Sequence, residues 1–206
     1  MGATRYETAN EISKAGWASA TTVLLARGDE YADALAGVPL AHSLDAPLLL
    51  TESLALNAAT KTEITRLAAD EVVILGGLSS VSQAVEDELV GMGLTVRRLA
   101  GIDRFETAAL IAAELFVQVG GFNEAFVVYA RNFPDAMAAA SYAAQLNIPI
   151  LLTETNSLPL ETADTLTTLG IIKTYAVGGT AVISDSVVGL LPTTSALVAM
   201  IAMQLR

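Results

Sequence analysis

The sequence predicts an α/β protein of two tandem modules, each a mostly parallel sheet flanked by helices. Three observations carry this. The first is an internal duplication. Gly2-Ala3-Thr4-Arg5-Tyr6-Glu7-Thr8-Ala9 returns as Gly101-Ile102-Asp103-Arg104-Phe105-Glu106-Thr107-Ala108, and Pro47-Leu48-Leu49-Leu50-Thr51-Glu52 returns as Pro149-Ile150-Leu151-Leu152-Thr153-Glu154. Asp33 to Asp135, Pro47 to Pro149 and Gly76 to Gly178 are each 102 residues apart, a period too long for a solenoid repeat and the size of a small domain. The second is the apolar pattern. Short unalternating blocks such as Val23-Leu24-Leu25-Ala26 and Phe126-Val127-Val128 suit strands covered on both faces. The third is the regular alternation of such blocks with helical stretches.

Thr4 with Glu7, and Asp103 with Glu106, predict N-caps with a glutamate three residues on. Helices are expected from there to about Ala15 and Val119, each ended by glycine. Strands follow at 22–26 and 125–130, then alanine-rich helices at 31–43 and 134–146. Pro134 suits a first helical turn, whereas Pro39 should kink or restart its helix. Pro47 and Pro149 open second strands. Third helices are expected at 58–69 and 159–169, capped by Asn57 and Ser157, then strands at 71–75 and 172–177 ending in Gly-Gly. Helices at 80–90 and 184–190 precede last strands at 94–99 and, by the 102-residue offset, 196–201, a stretch whose composition also allows a helix. The boundary falls between 100 and 101, so the modules are 1–100 and 101–206, each with its own core. Leu24, Leu49 and Val73 are central to one, and Val127, Leu151 and Ala176 to the other.

Composition bounds the function. The 206 residues are 53% hydrophobic, yet the longest purely apolar run, Ala196 to Met203, is far short of the roughly 20 residues of a membrane span. Net charge is −11, which opposes nucleic-acid binding. Acidic residues number 13 against 7 basic in residues 1–99, and 9 against 4 in 100–206, without a long like-charge block, so they read as a solubilising surface. There is no cysteine, hence no thiol chemistry. No signal peptide is read, so the chain is taken either as cytosolic or as beginning after processing or within a longer protein.

The candidate ligand-binding residues are arginines and glycines. Arg5 and Arg104 sit where a cation meets the positive end of a helix dipole, so a partner is expected, either an ion pair with Asp33, Asp135 or the neighbouring module, or a ligand phosphate or carboxylate held by the guanidinium fork. Arg27 and Arg131 end a strand beside a helix start, where ligands collect in open α/β sheets. Gly76-Gly77 and Gly178-Gly179 join strand to helix, either as tight turns or as anion nests. Asp33 and Asp135 read as structural residues of a first turn, Glu52 and Glu154 as solvated loop carboxylates, and His42 as packing or surface. No Gly-x-Gly-x-x-Gly, Walker lysine or Asp-x-Asp pair is present, which weighs against nucleotide, metal or cofactor chemistry.

The set Gly-x-Asp-Arg-(Tyr/Phe)-Glu-Thr-Ala, Asp-Ala-(Leu/Met)-Ala, Pro-(Leu/Ile)-Leu-Leu-Thr-Glu and Gly-Gly-x-x-x-(Val/Ile)-Ser resembles the cell-wall-binding type 2 repeat, over nearly the whole chain and twice in order. The resemblance implies Toprim-like modules, usually in threes, that hold surface proteins non-covalently to anionic wall polysaccharide. The implied location is extracellular, at the cell wall or surface, and the implied role is non-catalytic anchoring. A structural surface-layer assembly module and a Toprim-type metal-dependent enzyme are the alternatives. Thr4 departs from the pattern's Asp, and only two copies are read, so a homo-oligomer is expected to use the face a third would meet.

Overall fold

The computed structural model describes residues 2–131 and 133–196, with backbone alone for 133–136, 195 and 196. Its elements alternate as expected. The first module runs α1 (Arg5–Gly16), β1 (Thr22–Arg27), α2 (Ala32–Ser43), β2 (Leu48–Thr51), α3 (Ala58–Leu67), β3 (Glu71–Leu75), α4 (Gln83–Gly91) and β4 (Thr95–Leu99). The second runs α5 (Arg104–Val119), β5 (Glu124–Tyr129), α6 (Phe133–Leu146), β6 (Ile150–Thr153), α7 (Leu160–Thr168), β7 (Lys173–Val177), α8 (Asp185–Val188) and β8 (Thr194–Ala196).

Each module holds one four-stranded sheet, ordered β2-β1-β3-β4 and β6-β5-β7-β8, and every pairing is parallel. Because the chain leaves β1 for β2 on one side and returns to β3 on the other, the gap between β1 and β3 is a topological switch point.

The caps form as their chemistry requires. Thr4 accepts from the Glu7 N–H, and the Glu7 carboxylate accepts from the Thr4 N–H. Asp103 accepts from Phe105 and Glu106 N–H groups, and Glu106 reaches back to the Ile102 N–H at 2.5 Å. Asn57 caps α3, but Ser157 does not cap α7. Its N-cap is Pro159, which stands where Asn57 stands and has no side-chain acceptor. Helix α2 does not restart at Pro39 but runs through it. Helix α8 has 4 residues against 9 in α4, so β8 begins at Thr194, ahead of the expected 196; residues 197–201 of that expected strand lie outside the described residues.

Period-two alternation divides each sheet into two faces. Val23, Leu25, Leu49, Val72 and Ile74 pack with Ile64, Leu67, Val85 and Leu89 of the outer helices. In the second module Ala125, Val127, Leu151 and Ala176 pack with Leu166 and Val187. The inner faces do not make separate cores. Leu24, Ala26, Val73 and Leu75 from one sheet, and Phe126, Val128, Leu152 and Tyr175 from the other, join one cluster with Ala36 and Leu40 of α2, Ala108 and Ile111 of α5, and Ala139 and Ala143 of α6. Each module thus has its own outer core, as expected, and the inner cluster that the two share is an addition to that expectation. Alanine is the reason: its small side chain lets α2 approach α5 and α6 closely. Arg97 ties the modules again, pairing with Glu71 at 2.7 Å and with Glu114 of α5 at 2.8 Å.

Candidate functional site

In a parallel sheet all carboxyl ends lie at one edge, and the loops that follow the strands gather there. A cleft of about 190 Å³ opens at the switch point of the first sheet. Arg27, Glu30 and Asp33 reach it from the end of β1 and the start of α2, and Gly77, Ser79 and Ser80 from the β3–α4 turn. Gly101, Ile102, Asp103, Arg104 and Thr107 reach it from the second module. Of the four arginines expected to bind, Arg27 and Arg104 come together here. Arg5 and Arg131 do not line this cleft.

Each arginine has a partner. Arg27 is held by Asp29 through two hydrogen bonds, Nε to Oδ1 at 2.7 Å and Nη2 to Oδ2 at 2.6 Å. Those bonds keep the Asp29 carboxyl below its usual range. Arg104 Nη1 donates to the Ala130 carbonyl at 2.8 Å, and its Nη2 makes a long ion pair, 4.0 Å, with Glu30 of the neighbouring module, one of the partners expected for it; it does not pair with Asp33. Arg5 repeats this on the Gly28 carbonyl at 2.6 Å. A carbonyl compensates a cation at the start of a helix while leaving the rest of the guanidinium fork for other acceptors. Arg131 pairs with Glu154, Nη2 to Oε1 at 2.6 Å, so that carboxylate is not merely solvated. Glu52 is exposed and accepts from Asn57.

Asp33 is the unexpected member. Its carboxylate is mostly withdrawn from water, and burial pushes its pKa up, against the lowering effect of the Ser80 hydroxyl at 3.4 Å and the charges of Arg104 and Arg27. Gly76 explains part of this. Its φ is +100°, and a Cβ there would stand 2.4 Å from Asp33 Oδ2, so only glycine admits the carboxylate. The Gly76 N–H donates to the Leu99 carbonyl, and the Gly77 carbonyl accepts from Ser80 and Val81. Gly178 likewise has positive φ, at 131°, and the Gly179 carbonyl accepts from Val182 and Ile183. The side chain of Asp135 lies outside the described residues.

Sequence reasoning missed Arg98. From β4 its Nη1 donates to the carbonyls of Gly76 at 2.8 Å and Val81 at 2.9 Å, while Nη2 pairs with Glu86 at 2.6 Å. It therefore staples both ends of the turn that floors the cleft. Two consecutive arginines in a strand were the available signal. The strand register gives the second module Ala196 in that place, opposite Ala176 as Arg98 is opposite Ile74. His42 lies at the junction of the modules, 3.2 Å from the Asn147 amide oxygen. Among the described residues no group of three or more His, Cys, Asp or Glu could hold a metal, and no helix is long and apolar enough to cross a membrane.

Comparison with known proteins places the arrangement. Over 93% of this chain, N-acetylmuramoyl-L-alanine amidase LytC of Bacillus subtilis is 36% identical. The Amidase enhancer of the same organism is 41% identical over 77% of the chain. The chain spans only 38% and 22% of those two proteins' lengths. Cwp6 from Clostridium difficile superposes with a TM-score of 0.86 at 34% identity, covering 92% of this chain and 30% of that one. Residues 1–86 and 98–188 match the family described as Cell wall binding domain 2. The chain therefore belongs to the Cell wall binding domain 2 family, as a tandem pair of α/β modules whose place is the cell wall or cell surface.

Proposed function

We propose that the cleft between the modules takes an anionic group, phosphate or carboxylate, of a wall polysaccharide, and that the chain anchors a surface protein in this way without catalysis of its own. One observation carries the reading: Arg27 of the first module and Arg104 of the second converge on a single cleft at the sheet's switch point. Arg104 Nη1 is bound to a carbonyl, and its ion pair with Glu30 is long, at 4.0 Å, so no carboxylate holds its fork at hydrogen-bond distance. A polymer oxyanion can then take charge-assisted hydrogen bonds from its fork. Gly76 and Gly77 shape the turn that floors this cleft, and Arg5, Arg131, Gly178 and Gly179 serve further positions along the same polymer.

The experiment is binding to purified walls with and without their anionic polymers. Binding should require the polymer and should weaken as salt rises, because exposed charges are screened over about 8 Å at physiological ionic strength. Arg27→Ala/Arg131→Ala and Arg104→Ala should each reduce it. Salt-independent binding, or full binding by these variants, would remove the ionic mechanism and leave a hydrogen-bonded glycan site.

A second reading, self-assembly in a surface layer, is favoured by one contrast. Ile111 of α5 is 2% exposed, whereas Ile12, its counterpart on α1, is 63% exposed. Ile12 lines an open groove of about 280 Å³ with Trp17, Val38 and Ala144.

A further inference from the structure

The carboxyl edge of the first sheet carries three exposed aliphatic side chains that no packing requires. Leu54 is 80% exposed, Leu78 58% and Ile102 98%. Each stands on the loop that follows a parallel strand: Leu54 after β2, Leu78 after β3 and Ile102 after β4. The backbone ties these loops into one rim. The Ser82 N–H donates to the Ser53 carbonyl at 2.8 Å, beside Leu54, and a Cβ on Gly77 would lie 3.7 Å from the Gly101 carbonyl, beside Ile102. Ile102 itself lines the arginine cleft, and the residues flanking Leu78, Gly77 and Ser79, line it too.

The second module makes two of these loops, after β6 and β7, without the apolar side chains. Its Ser184 N–H donates to the Thr155 carbonyl at 2.9 Å. The duplicated positions of Leu54 and Leu78 are Asn156 and Thr180, both exposed. The scaffold therefore tolerates polar residues there, and the aliphatic ones are not needed to form the loops.

We infer that the first-module rim is a specificity surface, which selects a polymer unit whose anionic group enters the arginine cleft while an adjacent apolar portion lies on Leu54, Leu78 and Ile102. This rests on the cleft's role as the anion site. The apolar portion is either the C–H face of a sugar ring or an acyl ester on it; both offer surface that gains by leaving water. Contact would be strongest at Ile102, which is nearest the arginines. A membrane is a poorer fit than a polymer. Asp29, Glu30 and Asp103 are exposed around the rim and would meet an anionic lipid surface broadside, whereas a single polymer group passes between them to the two guanidiniums.

The test uses the whole chain and purified Bacillus subtilis walls as the probe: untreated, treated with mild alkali to remove O-acyl esters, or stripped of anionic polymer. Leu54→Asn/Leu78→Thr/Ile102→Ser gives the rim a polar character, in two places with the second module's own residues. Its melting temperature should equal the parent's. Its affinity for untreated walls should fall on the order of tenfold, as expected for losing a few buried methylene groups, while the slope of affinity against salt is unchanged. Arg27→Ala/Arg104→Ala should flatten that slope. If alkali reduces parent binding to the variant's level, the apolar portion is an acyl ester; if alkali has no effect, it is the sugar face. A rim variant that binds like the parent, while the arginine variant does not, overturns the rim and leaves the cleft. An arginine variant that binds like the parent, or a parent that ignores the polymer, overturns the cleft and the rim together. Rim-dependent binding to anionic lipid vesicles, or rim-dependent dimerisation with wall binding unchanged, also overturns the inference.

Discussion

Replacing Ile111 with alanine should destabilise the whole chain, and replacing Ile12 should not. The two residues occupy the same position in the duplicated motif, and their helices are alike. Ile111 is 2% exposed and sits in the cluster that both sheets share; Ile12 is 63% exposed. Ile→Ala removes three carbons, worth about 2.4 kcal/mol at about 0.8 kcal/mol per buried methylene. A residual cavity adds to this and brings the expected cost to about 3–4 kcal/mol. At Ile12 the loss should be within about 0.5 kcal/mol, as for ordinary surface changes. Urea denaturation followed by far-UV circular dichroism and by fluorescence of the single tryptophan, Trp17, measures both. Because Ile111 belongs to the second module and Trp17 to the first, the shared core predicts that Ile111→Ala lowers the midpoint equally by both probes. A tryptophan transition left at the parental midpoint would show that the modules unfold independently and would refute the shared core.

Leu49→Asp and Leu151→Asp each bury an unpaired charge in a strand with no exposure, and should cost more than about 4 kcal/mol; a parental melting temperature in either would show that the site had opened to water. Burial raises the Asp33 pKa, so above its folded pKa the ionised carboxylate opposes folding, and that penalty is relieved as pH falls through the folded pKa toward the unfolded value of about 3.9. Asp33→Asn should therefore melt higher than the parent at pH 7, with an advantage that shrinks in acid; a lower melting temperature at pH 7 would mean that the charge is favourable. The exposed α1 face around Ile12 predicts self-association at micromolar concentration by light scattering, reversed by Ile12→Glu; a strictly monomeric parent would contradict it.

Much of the architecture was legible because it is local. Thr4 with Glu7, Asp103 with Glu106, and the apolar strand blocks carry their instructions within a few residues. The shared core was not read because it joins residues a hundred positions apart. The available signal was α2 itself, whose stretch from Ala32 to Ala41 is apolar on most sides, and a helix of that kind is covered all round. At the site, the arginines could be placed at strand and helix ends by pattern alone. That Arg27 and Arg104 meet while Arg5 and Arg131 stand elsewhere depends on how one module sits on the next. Arg98 was invisible for a different reason: its partners Gly76 and Val81 lie 17 to 22 residues back within the same module and are reached only once β4 pairs with β3.

The central position of α2 has a temporal consequence. Its last residue, Ser43, leaves the ribosome early, but the helices that cover its far side end at Val119 and Leu146. About a hundred residues separate the two events, which at roughly 5–20 residues per second of synthesis is about 5–20 s. For that interval the nascent first module shows water the surface that α5 and α6 will later cover. Whatever binds exposed apolar helix during export or synthesis therefore has a window on this chain that narrows when α5 docks and closes only when α6, ending at Leu146, has emerged and docked.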